Sequence, residues 1–528
     1  MPSHYISLPH TSNQARGIGQ YAIDFLAGRL GQPGEAALAK VEQFHTDSVG
    51  CAIAALATGT AAPRLLRDEA WEYPDPAGAT CFGSNVPVAP EKAVVANCAA
   101  VRELDANGTN FGYNPRTGNK RGEFGHNDFY PVVVAAAQIA DWDGRRTLLA
   151  MLCLDEIRGR LAEVFGLKDH RIDHVLHGAI ASAAVYGAIL GATAEQIESA
   201  IGLVVAHYVP FRAIRHGEQL SDSKGASAAI SSEVAVLSMR RAMRGFAGPA
   251  DIFRNPQAVF CLFEPPKKKG TGPFDLELAA SGDDFAVMGM HFKLGLYEHQ
   301  SAGAIAGLFD LLSKYPGLWA DPAAIRRLAI TIYEPAFSII GDPHKRDPRT
   351  RQSADHSMVY IVATLLRKAV EAEVQGSKFK VSSSNATLNL EPETWNSCCW
   401  RSLMLLPADY DDAALHHPLT RELMGRIDFR HGGPEYDAKY PDGIPTSLEI
   451  EHATLGTLSS GLVMYPAGHA RNTTADLPAL LADKFHKLAA LGVREPDQVR
   501  QRLTNLAAKS PAEIQTLYSF AIDHVRPA

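Results

Sequence analysis

Cysteine is sparse and irregularly placed: seven in 528 residues, at positions 51, 81, 98, 153, 261, 398 and 399, with no Cys-x-x-Cys pair. An odd, scattered set is not a disulfide framework, and it points to a reducing compartment, read here as the cytoplasm. The adjacent Cys398-Cys399 pair lacks the spaced partners that an iron–sulfur cluster needs. Long apolar runs are also missing. No stretch reaches the ~18–20 uninterrupted apolar residues of a membrane span, and MPSHYISLPHTSN has no basic segment followed by an apolar run, so it does not read as a secretory signal. Nor is there an excess of positive charge. A net charge of −7 gives no general attraction to nucleic acid or anionic membrane, so any anion binding must come from a local cluster. A hydrophobic fraction of 46% with 21% charged residues excludes a disordered or collagen-like chain.

What is present is enough chain for two large units. From about Ala15 to Leu262 alanine-rich apolar runs with short polar breaks predict an all-helical region. Thr193-Ala-Glu-Gln196 has capping-box spacing, and the GFAGP run from Gly245 to Pro249 predicts a helix stop. Past FEPPKKKGTGPF (263–274) the texture changes. RRLAITIYEP (326–335) and TSLEIEH (446–452) alternate with period two, and SAGAIAGLFDLLSKY (301–315) and SMVYIVATLLRKAVEAE (357–373) read as helices. The stretch 376–416 has no clean period and reads as an insertion. LPALLADKFHKLAALG and PAEIQTLYSFAIDHV return to helix. The expected fold is therefore mainly α with an α+β second domain.

Basic residues at helix starts carry the chemistry. His126, His174 and Lys224 each stand at the head of an apolar, small-residue helical run, at 131–141, 179–192 and 225–244. Unpaired N–H groups and the helix dipole make such starts anion sites, and several converging would hold a polycarboxylate. Asp105 and Thr109 are four apart, placed to share a helical face or a helix end, where they could orient a hydroxyl or merely terminate the helix. Arg212, Arg215, His216 and Lys224 fall within one run; arginine suits bidentate carboxylate binding and lysine a point contact. Lys293, on an expected strand, and His299, heading a helix, repeat the theme. His170, His174 and His177 cluster locally, but with no acidic residue at His-Glu-x-x-His spacing a metal site is not expected, and His170 and His177 read as surface or core histidines.

With these residues in place the chain resembles the MmgE/PrpD family. The resemblance runs from QFHTDSVGCAIAALATG (43–59) to VMYPAGHARNTTADLPALLADKF (463–485). ELDANGT is similar to the family's Leu-Asp-Phe-Asp-Asp-Thr segment, and GHND to its Gly-His-Pro-Ser. DHVLHGAIASAAV, FRAIRHGEQLSDSKGASAA, FKLGLYEHQSA, SADHSMVYIVATLL and YPAGHARN (465–472) are further marks. Departures bear on substrate: Gly108 stands at the second acid of the Asp-Asp-Thr element, Asn127-Asp128 stands at Pro-Ser, and the loop 112–125 and the region 376–416 look longer or different.

The resemblance implies a helical domain built from both chain ends (1–283 and 471–528), an inserted α+β lid (284–470), a homodimer, no cofactor and no metal. It places Asp105, Thr109, His126, His174, Lys224 and Lys293 at active-site positions. The implied activity is a hydro-lyase eliminating water from a hydroxylated di- or tricarboxylate, 2-methylcitrate leading. In that scheme His126 and His174 move protons, which is acid and which base being open, and Asp105 orients one imidazole. Lys224, Lys293, Arg212 and Arg215 hold carboxylates, with Thr109 and His299 as further substrate contacts. Decarboxylation or epimerisation of a related acid, or carboxylate binding without turnover, are the alternatives. No nucleic-acid or membrane partner is implied.

Overall fold

The computed structural model describes residues 4–123, 125–215, 219–315, 317–374 and 399–523. His216, Cys398 and the part of the expected insertion from 376 to 398 lie outside them. The chain divides into two compact units. One comprises the chain up to Arg215, Asp222–Met290 and the chain from Leu488 onward; the other comprises His291–Lys487 and a short piece ending at Ser221.

The first unit is helical. Its main elements are α1 (Gln14–Leu26), α2 (Glu35–Ala57), α3 (Ala61–Ala70), α4 (Pro90–Glu103), α5 (Tyr130–Ile139), α6 (Gly144–Val164), α7 (Val175–Ile189), α8 (Ala194–His207) and α9 (Ser223–Met243). A helix that is apolar all round belongs inside, and α7 follows this rule: only Ala188 of its residues is not buried. Its small residues permit close neighbours. A Cβ on Gly178 would fall 1.9 Å from the Phe129 ring, and one on Gly187 would fall 2.5 Å from Met239 Sδ. α9, rich in alanine and serine, packs mainly against α4 and α7. The capping box of Thr193 and Gln196 forms and opens α8. α9 stops at Met243, followed by Gly245 at φ +91°. Strands are few. β1 (Tyr5–Leu8) pairs antiparallel with β4 (Leu276–Ala279), and β2 (Thr109–Asn110) with β3 (Gly125–His126).

The second unit holds a four-stranded sheet of β5 (Ile325–Ile332), β6 (Ile427–His431), β7 (Ser447–His452) and β8 (Gly456–Ser459), in the order β6-β5-β7-β8. β6 runs parallel to β5; β7 is antiparallel to both β5 and β8. The period-two pattern sets the faces, since Leu328, Ile330 and Ile332 are fully buried. α10 (Ala302–Lys314) lies on β7, and two glycines allow it to come close. A Cβ on Gly303 would meet Thr446 Oγ1 at 2.4 Å, and one on Gly307 would meet Leu448 at 3.1 Å. α11 (Met358–Val374) and α12 (Leu477–Ala489) follow. The structure is thus mainly α with a smaller β component.

Three local expectations are corrected. Among the described residues, PAEIQTLYSFAIDHV is helical only over Pro511–Gln515. The Tyr518 ring packs 4.1 Å from Phe82 and its carbonyl accepts from Gly83 N–H, and this anchoring overrides helix continuation. Lys293 lies in irregular chain, not in a strand. Asp105 and Thr109 share no helical face; the helix-end reading holds instead, because α4 stops at Glu103, Leu104 turns extended (ψ 130°) and Thr109 begins β2. Among the described residues no single helix is long and apolar enough to cross a membrane.

Candidate active site

The start of α7 places the first imidazole. His174 is its N-cap residue, 3% exposed, and Nδ1 lies 3.2 Å from Asp173 Oδ1. Asp173 is fully buried and is fixed from two sides. Its N–H donates to Pro210 O at 2.7 Å, and its carboxylate takes a bidentate clamp from Arg215, with Nη2 at 3.2 Å and Nε closer. Arg215 Nη2 also donates to Ser227 Oγ in the first turns of α9, at 3.3 Å. The guanidinium beside Asp173 holds that carboxyl far below the usual range, overcoming its burial. Burial drives the His174 imidazole well below its ordinary value, and Arg215, Arg102 and Arg212 add to this against the pull of Asp173. His174 is therefore neutral at physiological pH. A carboxylate beside Nδ1 favours the proton there, leaving Nε2, which is buried and makes no hydrogen bond among the described residues, as the lone-pair nitrogen.

The second imidazole arrives on β3. Half-buried His126 stands directly across the β2–β3 ladder from Thr109, and Asn127 N–H donates to Gly108 O at 3.0 Å, extending that pairing. The His126 and His174 rings meet edge to face, centroids 5.1 Å apart at 62°. Two imidazoles separated by 48 positions in the sequence are thus brought into contact.

Around them lies a buried network of charge. Arg102, near the end of α4, binds Asp105 at 2.9 Å and lies 3.8 Å from Asp128, which also accepts from Asn107 at 2.5 Å. Burial raises the Asp128 carboxyl even so. Beside β3, Arg158 donates to Asp155 at 2.7 Å, and Tyr130 O–H donates to the same carboxylate at 2.5 Å. Lys224 is fully buried in the first turn of α9, next to Gly225, where a Cβ would fall 2.2 Å from Glu103 Oε2. Arg212 opens a 3₁₀ turn to Arg215, and its guanidinium makes no hydrogen bond or close ion pair among the described residues.

The structure therefore brings His126, Thr109, His174 and Arg215 together, and sets Asp105 against Arg102. Lys293 and His299 belong to the second unit. Lys293 is fully buried, and His299 opens the 3₁₀ turn before α10 with its ring stacked on His291, centroids 5.1 Å apart. Sequence reasoning missed Asp173, Arg102 and Asp128. Asp173 had a legible sign, an acid directly before a histidine at a helix start; Arg102 stands three positions before Asp105, and Asp128 depends on partners more than twenty positions away, Arg102 and Asn107. His170 and His177 part company: His170 lies 3.3 Å from Glu264 and stacks on Phe263, while His177 is buried in α7.

Gly108 has a structural reason. A Cβ there would fall 2.3 Å from the Phe44 ring, so Phe44 fills the space that a side chain at 108 would need.

A neutral, buried imidazole paired with a second one and ringed by guanidinium groups is suited to moving protons beside negative charge. Comparison with known proteins gives this class its relatives. The MmgE/PrpD N-terminal domain matches residues 24–270 and the MmgE/PrpD C-terminal domain matches 403–509, and the chain belongs to this family. It is 23% identical over 469 residues to a 2-methylcitrate dehydratase of Escherichia coli (strain K12), with 87% of each chain covered. It is 24% identical over 504 residues to one of Cupriavidus necator, covering 91% of this chain and 88% of the relative.

Proposed function

We propose that this protein is a hydro-lyase of the 2-methylcitrate dehydratase type, removing water from a hydroxylated tricarboxylate. The observation that carries the reading is the His126–His174 contact backed by Asp173 and Arg215. Nε2 of neutral His174 takes the proton from the carbon next to a carboxylate. The electron pair forms the carbon–carbon double bond, and the hydroxyl on the neighbouring carbon leaves as water with a proton from His126. Arg212, whose guanidinium makes no hydrogen bond or close ion pair among the described residues, and Lys224 hold substrate carboxylates. Lys293 and His299 supply further contacts, and Thr109 hydrogen-bonds one carboxylate. Arg215 acts through Asp173, and Asp105 acts through Arg102. The protein is a cytoplasmic homodimer that works without cofactor or metal.

The test is a panel of 2-methylcitrate, citrate, cis-aconitate and smaller hydroxy acids, read by the ultraviolet absorbance of the new double bond and by mass spectrometry. Turnover of 2-methylcitrate is expected, unchanged after chelator treatment. His126→Ala or His174→Ala should lower kcat by about 10²–10⁴-fold, the usual contribution of a proton-transfer group. Full turnover in His126→Ala and Lys224→Ala would overturn the assignment. One observation favours a second reading, carboxylate binding without turnover: with Phe44 packed over Gly108, the site lacks the second acid of the family's Asp-Asp-Thr element. Tight carboxylate binding without turnover across the panel would identify that case.

A further inference from the structure

The segment YPAGHARN (465–472) is absorbed by none of the roles above, yet it grips the stretch that carries Lys293 and His299. Gly468 makes the approach possible. It sits at φ +89°, and a Cβ there would fall 2.4 Å from Phe292 O. Phe292 N–H donates to Gly468 O at 2.8 Å, and Ala470 N–H donates to His291 Nδ1 at 3.0 Å. Lys293 is therefore preceded by two residues pinned to this loop. The loop is itself held: His469 N–H donates to Pro466 O at 2.9 Å, Asn472 N–H to His469 O at 2.9 Å, and Asn472 Nδ2 to Tyr465 O at 2.8 Å.

The grip extends to His299 through rings. His469, 2% exposed, lies tilted at 37° against His291 with centroids 4.1 Å apart, and His291 stacks on His299 at 5.1 Å and 21°. Tautomers follow from the backbone. His469 Nδ1 accepts from Arg471 N–H at 3.1 Å, and His291 Nδ1 accepts from Ala470 N–H, so in each neutral ring the proton is on Nε2. Burial supports neutrality, lowering His469 to about 4. A ring whose Nδ1 is committed to the backbone cannot turn without losing that bond.

From this geometry we infer that His469 and His291 are positioning residues, a clamp through which the 465–472 loop sets the His299 imidazole and the Lys293 segment. The inference rests on the proposed role of His299 as a substrate contact. The test uses the full-length protein with 2-methylcitrate. His469→Asn keeps a short acceptor for Arg471 N–H but removes the ring. It should raise KM about tenfold with kcat within about threefold, as His299→Ala should. The double variant should be no worse than His299→Ala alone, because residues acting through one another are not additive. Multiplying effects, or an unchanged KM in His469→Asn beside a raised one in His299→Ala, would overturn the clamp. An unchanged KM in His299→Ala would instead overturn the role of His299, and the clamp's function with it. A readout independent of turnover is the ring ¹⁵N signal of His299 in histidine-labelled protein, assigned by its loss in His299→Ala. It should shift in His469→Asn, and no shift overturns the inference.

Discussion

The two units hold their key histidines in different ways. In the first, His174 is set by charge: Asp173 lies beside Nδ1, and Arg215 clamps Asp173 from 42 positions away. In the second, His291 and His469 are set by backbone N–H groups from residues 470 and 471 and by ring contact. Charge reaches across the sequence but requires that every buried partner be present. Backbone and shape are local in their demands and tolerate a change of charge. The first arrangement suits a group that must keep one tautomer while protons move beside it, the second a group that must only stay in place.

The largest test of that contrast removes one buried partner. Asp173→Ala leaves the Arg215 guanidinium, 11% exposed, without its carboxylate and His174 without its anion. Breaking such a pair should lower stability by about 3 kcal/mol, measured by urea denaturation, and should also lower kcat. Asp173→Ala with Arg215→Met should recover part of the stability and none of the turnover. Equal stability losses in Asp173→Ala and His469→Asn would erase the distinction between the units.

A middle-sized effect is expected at Gly108. Restoring an acid there forces a Cβ into the Phe44 ring, which is fully buried in α2. Gly108→Asp alone should lower stability by about 1–3 kcal/mol, the usual range for overpacking. Adding Phe44→Ala should relieve that clash. If Gly108→Asp is neutral, Phe44 does not set the departure.

What could be read from the sequence was what is local. The Thr193–Gln196 capping box, the stop at Gly245 and the alternation at 328–332 depend on neighbours along the chain, and each appears as expected. His174 was visible as a basic residue at a helix start; Lys224 lies inside the first turn of α9 and not before it, and His126 lies on β3, four positions ahead of α5. Most of what failed depended on distant partners. Tyr518 leaves the helical path for Phe82 and His45, the latter at 3.1 Å from its hydroxyl. Asp173 answers to Arg215, 42 positions away, and only its place directly before a histidine is local; Asp105 answers to Arg102, three positions before it, and reads locally as helix punctuation.

The smallest effect at neutral pH, and the one that best separates the units, concerns histidines buried without charge. In the first unit, burial lowers His45 and His177 to about 3; in the second, it lowers His469 to about 4. An unfolded chain protonates these rings below an ordinary value near 6.5, while the folded protein does not. Stability is therefore unaffected above that value and falls as pH drops towards the folded values, by up to about 1.4 kcal/mol per pH unit for each ring. With His174 as a third such ring, the first unit should lose protection from hydrogen exchange earlier than the second between pH 6 and 4. His177 makes the cleanest probe because neither ring nitrogen has a hydrogen-bond partner among the described residues. His177→Leu removes no bond, so it should leave stability at pH 7.5 within about 1 kcal/mol. It should also flatten the acid slope by one ring's worth, and an unchanged slope would mean that His177 takes up its proton without unfolding.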